Sequence, residues 1–300
     1  MTYLIYTIDF GSNSNKYLVA IYRNKTLKIL KKDSIVHKIK KNKDIEEYEK
    51  KLEILIKNLK TEIETIKKMH KIRKIFSSSV GTEFYRLEST IRDKIIETNQ
   101  KYLKNIDTNF RVISQEEESK LSSKGIDFFF KEYIAIDLGG ASTEITIKTN
   151  NIYKKFLYKF GCLSEENNYN FINNFINFHK QNIKNAELIL IGGSFIATLL
   201  SIKKIKSTKF FYTLETQEME RFFKLIINKK EKEISAIYPF LKDREESVKK
   251  ALDFIIHLLN SIGIKKTRIS LLTLLEGLAI DLLELNKIEL NKITKGRKRE

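Results

Sequence analysis

The sequence predicts an α/β protein built from two similar lobes. Two observations support this prediction: strand-like and helix-like stretches alternate along the chain, and one motif occurs twice. Alternation of strands with helices is typical of layered α/β folds. The motif reads IDFGSNSNK at residues 8–16 and IDLGGASTE at residues 136–144. A repeat at this separation indicates duplicated lobes and not a solenoid.

Each copy of the motif predicts a β-hairpin in which an apolar strand ends in an aspartate and a glycine turn follows. The aligned residues are Asp9 with Asp137, Gly11 with Gly139, Ser14 with Ser142, and Lys16 with Glu144. Glycine allows the backbone to approach a ligand closely, and successive N–H groups in such a turn form a concavity suited to phosphate. Two such hairpins suggest a cleft between the lobes that binds a polyanion. The alternative is a pair of ordinary turns without a ligand.

The first lobe is predicted to span residues 1–124. Apolar runs predict its strands, and a long helix follows from apolar residues that recur every three or four positions from Ile45 to Met69. Such a stripe is typical of a helix packed on a core. The predicted elements are strands at 3–9, 17–22 and 27–31, a helix at 44–69, a strand at 71–79, a helix at 84–102 and a strand at 110–114.

The second lobe is predicted to span residues 125–290. After the second hairpin, an apolar strand leads into Gly192, Gly193 and a helix, an arrangement that can bind an anion. Close packing of the helix on the strand explains these glycines equally well. The other predicted elements are strands at 151–158 and 188–191 and helices at 164–180, 217–227, 245–261 and 271–286. Residues 291–300 are charged, lack periodicity and are predicted to form a disordered basic tail.

Composition limits the classes of function. The chain has 300 residues, 42% of them apolar, which is enough for a core in each of two domains. Its formal net charge of +18 indicates polyanionic partners, although a lysine-rich proteome would also raise the charge. The single cysteine and four scattered histidines disfavour zinc and thiol chemistry and fit a reducing cytoplasm. No membrane partner is expected, because no stretch reaches the ~20 apolar residues of a membrane span.

Several motifs give the chain a specific resemblance. The glycine turns resemble the paired phosphate loops of actin-like and sugar-kinase-like proteins, and IDFGSNSNKYLVA with IDLGGASTE is most similar to the exopolyphosphatase / guanosine pentaphosphate phosphatase (Ppx/GppA) family. Weaker similarities follow in the family's order: VISQEEESKL at 112–121, LIGGSFIATL at 190–199, DREESVKKAL at 243–252 and RISLLTLLEGL at 268–278. The resemblance implies two actin-like (ribonuclease H-like) lobes with a phosphate-binding cleft between them.

The same resemblance implies a phosphohydrolase that removes a terminal phosphate from inorganic polyphosphate or guanosine pentaphosphate. It implies that Glu118 activates the attacking water, with Glu117 as second choice if the register slips by one residue. A carboxylate-lined phosphate site suits Mg²⁺, and Asp137 and Glu144 are the candidate metal ligands. The expected phosphate-binding residues are Asp9, Gly11, Ser12, Asn13, Ser14, Lys16, Gly139, Gly140, Ser142, Gly192 and Gly193.

Three positions depart from the family pattern. Arginine is usual where this chain has Gly81, Lys120 and Leu275, and lysine lacks the bidentate geometry of arginine. The residues that could compensate are Arg86, Lys16 and Arg92. Two alternatives to the hydrolase therefore remain: a catalytically weak or inactive sensor that binds polyphosphate or nucleotide, and an actin-like ATPase or sugar kinase. No motif for specific nucleic-acid recognition is present, and a homodimer is compatible with each of these functions.

Overall fold

The computed structural model describes residues 1–39, 43–164, 186–203, 205 and 209–296. The chain divides into two compact units. The first comprises Met1–Gly125 together with Leu274–Glu300, and the second comprises Ile126–Thr273. Residues 274–290, which the sequence patterns place in the second lobe, therefore belong to the first unit. The helix that opens this segment packs against strands of the first sheet, a long-range contact that no local pattern indicates.

The first unit contains a six-stranded sheet. Its strands are β1 (Thr2–Phe10), β2 (Ser14–Arg23), β3 (Thr26–Val36), β4 (Lys74–Gly81), β5 (Phe110–Val112) and β12 (Lys292–Lys295). They lie in the order β12-β3-β2-β1-β4-β5. β1, β2 and β3 are antiparallel neighbours, whereas β4 runs parallel to β1 and β5 runs parallel to β4. β1 and β2 are buried over most of their length, as expected for central strands covered on both faces.

Helices pack on this sheet. They are α1 (Ile45–Met69), α2 (Glu83–Arg86), α3 (Thr90–Leu103), α4 (Gln115–Asp127) and, later in the sequence, α9 (Leu274–Leu285). α1 begins after Asp44, whose side chain accepts a hydrogen bond from the Glu47 N–H group. The apolar stripe of α1 is buried in the core from Tyr48 to Ile66, and the helix predicted at 44–69 is confirmed. Burial of each large apolar side chain contributes about 1.5–3 kcal/mol.

The second unit also contains a six-stranded sheet. Its strands are β6 (Tyr133–Leu138), β7 (Thr143–Thr149), β8 (Ile152–Tyr158), β9 (Glu187–Ile191), β10 (Phe211–Glu215) and β11 (Lys266–Ser270). The order is β10-β11-β9-β6-β7-β8. β6, β7 and β8 are antiparallel neighbours, while β9 runs parallel to β6 and β11 runs parallel to β9. Five strands of each sheet share one topology, because the order β3-β2-β1-β4-β5 corresponds to β8-β7-β6-β9-β11. The sixth strands differ: β12 pairs in parallel with β3, whereas β10 pairs antiparallel with β11 at the opposite edge. The predicted α/β class with two actin-like lobes is confirmed.

Four helices of the second unit enclose its main core. They are α5 (Gly193–Ile202), α6 (Thr216–Ile226), α7 (Glu231–Ile237) and α8 (Glu245–Ile262). α8 ends at Gly263, whose φ of 79° is the left-handed conformation that commonly closes a helix. Within the described ranges, no helix combines the length and the apolar character needed to cross a bilayer.

The prediction of a disordered tail at 291–300 is wrong for its first half. Lys292–Lys295 form β12, which pairs in parallel with the start of β3. Ile293 is buried there, and the pairing covers an edge of the sheet that would otherwise expose its backbone groups. Residues 297–300 lie outside the described ranges.

Two other local predictions also differ from the structure. The helix predicted at 84–102 is divided into α2 and α3, because α3 starts afresh at Ser89, whose hydroxyl accepts a hydrogen bond from the Arg92 N–H group. Strands β10 and β11 and helix α7 were not predicted, since their short sequences carry no clear periodicity. The helix predicted at 164–180 lies outside the described residues from position 165 onward.

Candidate active site

In each unit, the candidate residues follow the carboxyl ends of parallel strands. In the first unit, the glycine turn at 11–14 follows β1, α2 follows β4, and α4 follows β5. In the second unit, the glycine turn at 139–142 follows β6 and α5 follows β9. Parallel strands direct their carboxyl ends to one edge of the sheet, and ligands of open α/β sheets bind at that edge. The topology therefore gathers most of the predicted residues into one group per unit.

The first glycine turn, residues 11–14, has a defined hydrogen-bonded shape. The Gly11 N–H group donates to the Ser14 carbonyl oxygen at 3.1 Å, and a β-carbon on Gly11 would lie 3.0 Å from that oxygen. Across the strands, Lys16 Nζ donates to Asp9 Oδ2 at 2.7 Å. The side chains of Ser12 and Ser14 are buried. Gly11 does not have a positive φ, so its backbone angles do not require glycine. The close approach of the Ser14 carbonyl oxygen is what favours glycine at this position.

The second glycine turn, residues 139–142, repeats this geometry. The Gly139 N–H group donates to the Ser142 carbonyl oxygen at 3.0 Å, and a β-carbon on Gly139 would lie 3.2 Å from that oxygen. Ser142, like its counterpart in the first turn, is buried. The sequence repeat is therefore a repeat of hydrogen bonding. In both turns the N–H group of the first glycine is used to close the turn. The backbone N–H groups of the residues between the glycine and the serine are therefore the candidates for binding a ligand.

The cross-strand pair beside each turn differs in charge. Asp9 lies opposite Lys16 and Asp137 lies opposite Glu144. Residues directly opposite on antiparallel strands have Cβ atoms roughly 4.5–5.5 Å apart, and like charges at that distance repel. The second pair thus concentrates negative charge next to a glycine turn, with Glu144 buried.

The second pair fits Mg²⁺ as a partial ligand set. Mg²⁺ in proteins is held by one or two carboxylates while waters and phosphate oxygens complete its octahedron. Among the residues that the structure describes, no group of three or more His, Cys, Asp or Glu side chains could hold a metal ion. A cation at Asp137 and Glu144 would therefore rely on water or substrate oxygens for its remaining ligands.

A loop at residues 160–164 braces the second turn. The N–H groups of Cys162 and Leu163 donate to the carbonyl oxygens of Gly139 and Gly140, each at 2.9 Å. A β-carbon on Gly161 would lie 2.5 Å from both the Gly139 carbonyl oxygen and the backbone of the next residues. Close backbone packing therefore fixes the second turn from outside. The Cys162 thiol is buried, and burial raises its pKa to about 11, which leaves it protonated and unreactive at neutral pH.

The predicted glycines at the start of α5 also approach this region. Gly192 has a φ of +129°, and a β-carbon there would lie 2.6 Å from the carbonyl oxygen of Leu138, the residue before the second turn. Only glycine tolerates both the dihedral angle and the contact. The N-terminal end of α5, where backbone N–H groups favour anions, is thereby placed beside the end of β6.

Arg244 lies at the start of α5, a position that the sequence patterns did not indicate. Its Nη1 atom lies 2.8 Å from the position a β-carbon on Gly193 would take. Burial lowers the pKa of Arg244, although the guanidinium stays charged because its ordinary value is so high. A cation beside a helix N-terminus creates a strongly positive environment suited to phosphate. The only signal in the sequence was the arginine within DREESVKKAL, whose contact with Gly193 depends on tertiary structure.

The predicted catalytic glutamate is held by an arginine. Arg86 Nη1 donates to Glu118 Oε2 at 2.9 Å, while Arg86 Nη2 donates to Glu83 Oε2 at 2.7 Å. Burial lowers the pKa of Arg86, but the charges and hydrogen bonds of the two carboxylates outweigh burial and raise it overall. Glu117 instead pairs with Arg111 at 2.6 Å, in a more exposed position. Of the two candidates, Glu118 is the less exposed, with 14% of its side chain accessible against 39% for Glu117.

Packing explains one departure from the family pattern. A β-carbon on Gly81 would lie 2.5 Å from the ring of Phe110 and 2.7 Å from that of Tyr85, so no side chain fits there. Arg86, one residue beyond Tyr85, supplies a guanidinium to Glu118 instead. The other two candidate replacements form ion pairs with aspartates, Lys16 with Asp9 beside the first turn and Arg92 with Asp93. Leu275 is buried and Lys120 is exposed.

Comparison with solved structures gives matches over nearly the whole chain. The Ppx/GppA family member of Aquifex aeolicus superposes with a TM-score of 0.68 and 16% identity, covering 96% of this chain and 99% of its own. An exopolyphosphatase from Cytophaga hutchinsonii superposes with a TM-score of 0.73 and 20% identity, covering 95% of this chain and 98% of its own. The chain has the Ppx/GppA fold. An exopolyphosphatase-like protein also matches, with a TM-score of 0.67 and 16% identity over 93% of this chain and 97% of its own.

The resemblance indicated by the glycine turns is therefore confirmed at the level of fold. No family sequence profile and no curated protein sequence matches the chain. The similarity to these proteins therefore lies in the fold and not in the overall sequence. Identities of 16–20% establish the fold alone, so the reaction has to be inferred from the side chains at the strand ends.

Proposed function

We propose that this protein is a phosphohydrolase that removes a terminal phosphoryl group from inorganic polyphosphate or guanosine pentaphosphate. The observation that carries the proposal is the pair of glycine turns with the same closing hydrogen bond, one beside an Asp–Lys pair and one beside an Asp–Glu pair. Exopolyphosphatases are among the proteins that share this fold, and the net charge of +18 suits a polyanionic substrate.

Phosphoryl transfer depends mainly on positioning and charge neutralisation. We assign the phosphate oxygens to amides inside the two turns, to the hydroxyls of the turn serines and to the N-terminal amides of α5. Arg244 and Lys16 are the cations that we place beside these groups. Arg244 lies beside the α5 N-terminus and Lys16 beside the first turn. The phosphate-binding residues predicted from the sequence keep that role in this proposal.

We assign Mg²⁺ to Asp137 and Glu144. When bound there, the ion would neutralise charge on the transferred phosphoryl group. The chain holds the two carboxylates opposite each other on β6 and β7, next to the second glycine turn. The Gly139 and Gly140 carbonyl oxygens of that turn already accept hydrogen bonds from the 160–164 loop. The ligands are therefore presented on strands, which position side chains more rigidly than loops.

We assign the role of general base to Glu118. The ion pair with Arg86 fixes the direction of its carboxylate, and Glu83 on the other side of the guanidinium fixes Arg86 in turn. A carboxylate held in this way can accept a proton from an attacking water. General-base assistance of this kind contributes ~10²–10⁴-fold to the rate.

The test compares Glu118→Gln with its neighbour Glu117→Gln. Phosphate release from polyphosphates of several lengths, guanosine pentaphosphate and ATP is measured with and without Mg²⁺. We expect Glu118→Gln to reduce turnover ~10²-fold or more while substrate still binds, and Glu117→Gln to stay near the unmodified protein. Circular dichroism of both variants checks that the fold is retained.

Other outcomes would overturn parts of the proposal. Inactivity of Glu117→Gln alone would transfer the role of base to Glu117. Release from ATP alone would indicate an ATPase, and binding of polyphosphate without release in the unmodified protein would indicate a sensor.

A further inference from the structure

The first unit contains a buried network of polar side chains that the proposed reaction does not use. Its members come from five separate segments and are Asn15 on β2, His37 after β3, Tyr48 on α1, Tyr85 on α2 and Asn99 on α3. Each is at most 2% exposed. Burial of so many polar groups is costly unless every one is hydrogen-bonded. The hydrogen bonds therefore indicate what this network holds in place.

The donors and acceptors around His37 are defined by its surroundings. Its Nδ1 atom accepts a hydrogen bond from the Ile39 N–H group at 3.1 Å, so in the neutral ring the proton is on Nε2. Nε2 then donates to Asn15 Oδ1 at 3.1 Å. Burial, together with the charges of Lys51 and Lys16, lowers the pKa of His37 to about 3, so the ring is neutral in this arrangement.

The remaining members form a closed ring of hydrogen bonds. The Tyr48 hydroxyl donates to Asn99 Oδ1 at 2.6 Å, and Asn99 Nδ2 donates to the Tyr85 hydroxyl at 3.2 Å. The Tyr85 hydroxyl then donates to the Tyr48 hydroxyl at 3.0 Å, which also accepts from Asn15 Nδ2 at 3.1 Å. Each hydroxyl proton is used once. A network in which every member is hydrogen-bonded in this way resists displacement.

One end of the network holds the first glycine turn. The backbone N–H groups of His37 and Lys38 both donate to the carbonyl oxygen of Asn13, at 2.9 and 3.1 Å. Asn15 itself follows the turn at the start of β2. The turn is therefore anchored through both its backbone and the strand that leaves it.

The other end holds the short helix α2. Tyr85 precedes Arg86, the residue that carries the ion pair with Glu118. The ring of Tyr85 also fills the space above Gly81, at the end of β4. A helix of this length has little stability of its own, so its position depends on side chains such as Tyr85.

We propose that Asn15, His37 and Tyr48 are positioning residues that hold the first glycine turn and the Arg86–Glu118 pair in one fixed arrangement. This inference rests on the proposed function for its catalytic consequence, but the fixed arrangement itself can be tested without a substrate. None of these residues contacts the reacting groups; they act through Asn13 on one side and through Tyr85 on the other.

The test uses Tyr48→Phe with Tyr6→Phe as a matched control. Tyr6 is also a buried tyrosine of the first unit, and its hydroxyl donates to the Ile106 carbonyl oxygen, remote from the network in sequence and partners. Hydrogen exchange is followed for the amides of residues 11–15 in the protein without ligand. We expect exchange at Gly11 to accelerate about tenfold or more in Tyr48→Phe and to stay unchanged in Tyr6→Phe.

Kinetics supply the second readout. A misplaced turn lowers the rate of a step that depends on orientation, so kcat for phosphate release should fall about tenfold in Tyr48→Phe with a smaller change in KM. His37→Gln keeps an acceptor and a donor and should retain more activity than His37→Leu. Equal exchange at residues 11–15 in the Tyr48 and Tyr6 variants would overturn the inference. If the unmodified protein releases no phosphate, the proposed function fails, and the exchange comparison alone decides the positioning role.

Discussion

Replacement of Glu144 by glutamine should abolish stabilisation of the protein by Mg²⁺. In the structure, Glu144 lies opposite Asp137, whereas the aligned pair in the first unit is an ion pair between Asp9 and Lys16. A ligand that binds only the folded state stabilises it by RT ln(1 + [L]/Kd), which is about 2.7 kcal/mol at a hundred times Kd. For an unfolding unit of about 150–250 residues, this corresponds to roughly 5–11 °C in melting temperature.

The assay is thermal unfolding followed by circular dichroism, in EDTA and at increasing Mg²⁺. The unmodified protein should gain stability with Mg²⁺, and Glu144→Gln should not. Lys16→Gln is the matched control, because it changes the aligned position of the other hairpin. Lys16→Gln should lower the free energy of unfolding by about 1 kcal/mol or less, because the Lys16 side chain is 30% exposed and solvent screens the ion pair. The response of this variant to Mg²⁺ should be intact.

The reasoning would be refuted by either of two results. A full Mg²⁺ response in a folded Glu144→Gln protein would show that this carboxylate does not hold the ion. Loss of the Mg²⁺ response in Lys16→Gln would show that Mg²⁺ binding is not confined to the hairpin that carries the Asp137–Glu144 pair. Asp137→Asn provides an independent check and should behave like Glu144→Gln.

Three further predictions concern two glycines in close backbone contacts and the buried His37. Gly277→Ala should destabilise the first unit by about 1–3 kcal/mol or more, measured by urea unfolding, because its β-carbon would lie 1.8 Å from the Leu121 carbonyl oxygen; unchanged stability would contradict this close contact. Gly161→Ala should weaken polyphosphate binding measured by calorimetry, because its β-carbon would displace the second turn; unaltered affinity would show that the loop does not brace it. Since the pKa of His37 is about 3 in the folded protein, below its ordinary 6.5, its contribution to stability is complete above pH 6.5 and is lost as pH falls toward 3. His37→Gln should therefore lose about 2 kcal/mol less than the unmodified protein between pH 6.5 and 5, by urea unfolding, and equal slopes would refute the assignment.

The sequence by itself determined the features that depend on neighbouring residues. The repeated motif predicted two hairpins, and the structure shows the same backbone hydrogen bond from glycine to serine in both, because a four-residue turn depends on residues that are neighbours in the sequence. The apolar period of α1 likewise predicted one helix with one buried face. Alternation of such segments was sufficient for the α/β class and, with the motifs, for the Ppx/GppA fold.

Tertiary structure decided the contacts between residues far apart in the chain. Sequence patterns did not indicate that Arg86 holds Glu118, that Arg244 lies beside Gly193, or that residues 292–295 complete the first sheet. Hydrophobic periodicity records which face of an element is buried, and it carries no information about which distant element covers that face. A charged side chain such as Arg86 has the same local pattern whether it faces solvent or a carboxylate. Its partner is set by the packing of β4 and β5, which brings α2 and α4 to the same edge of the sheet.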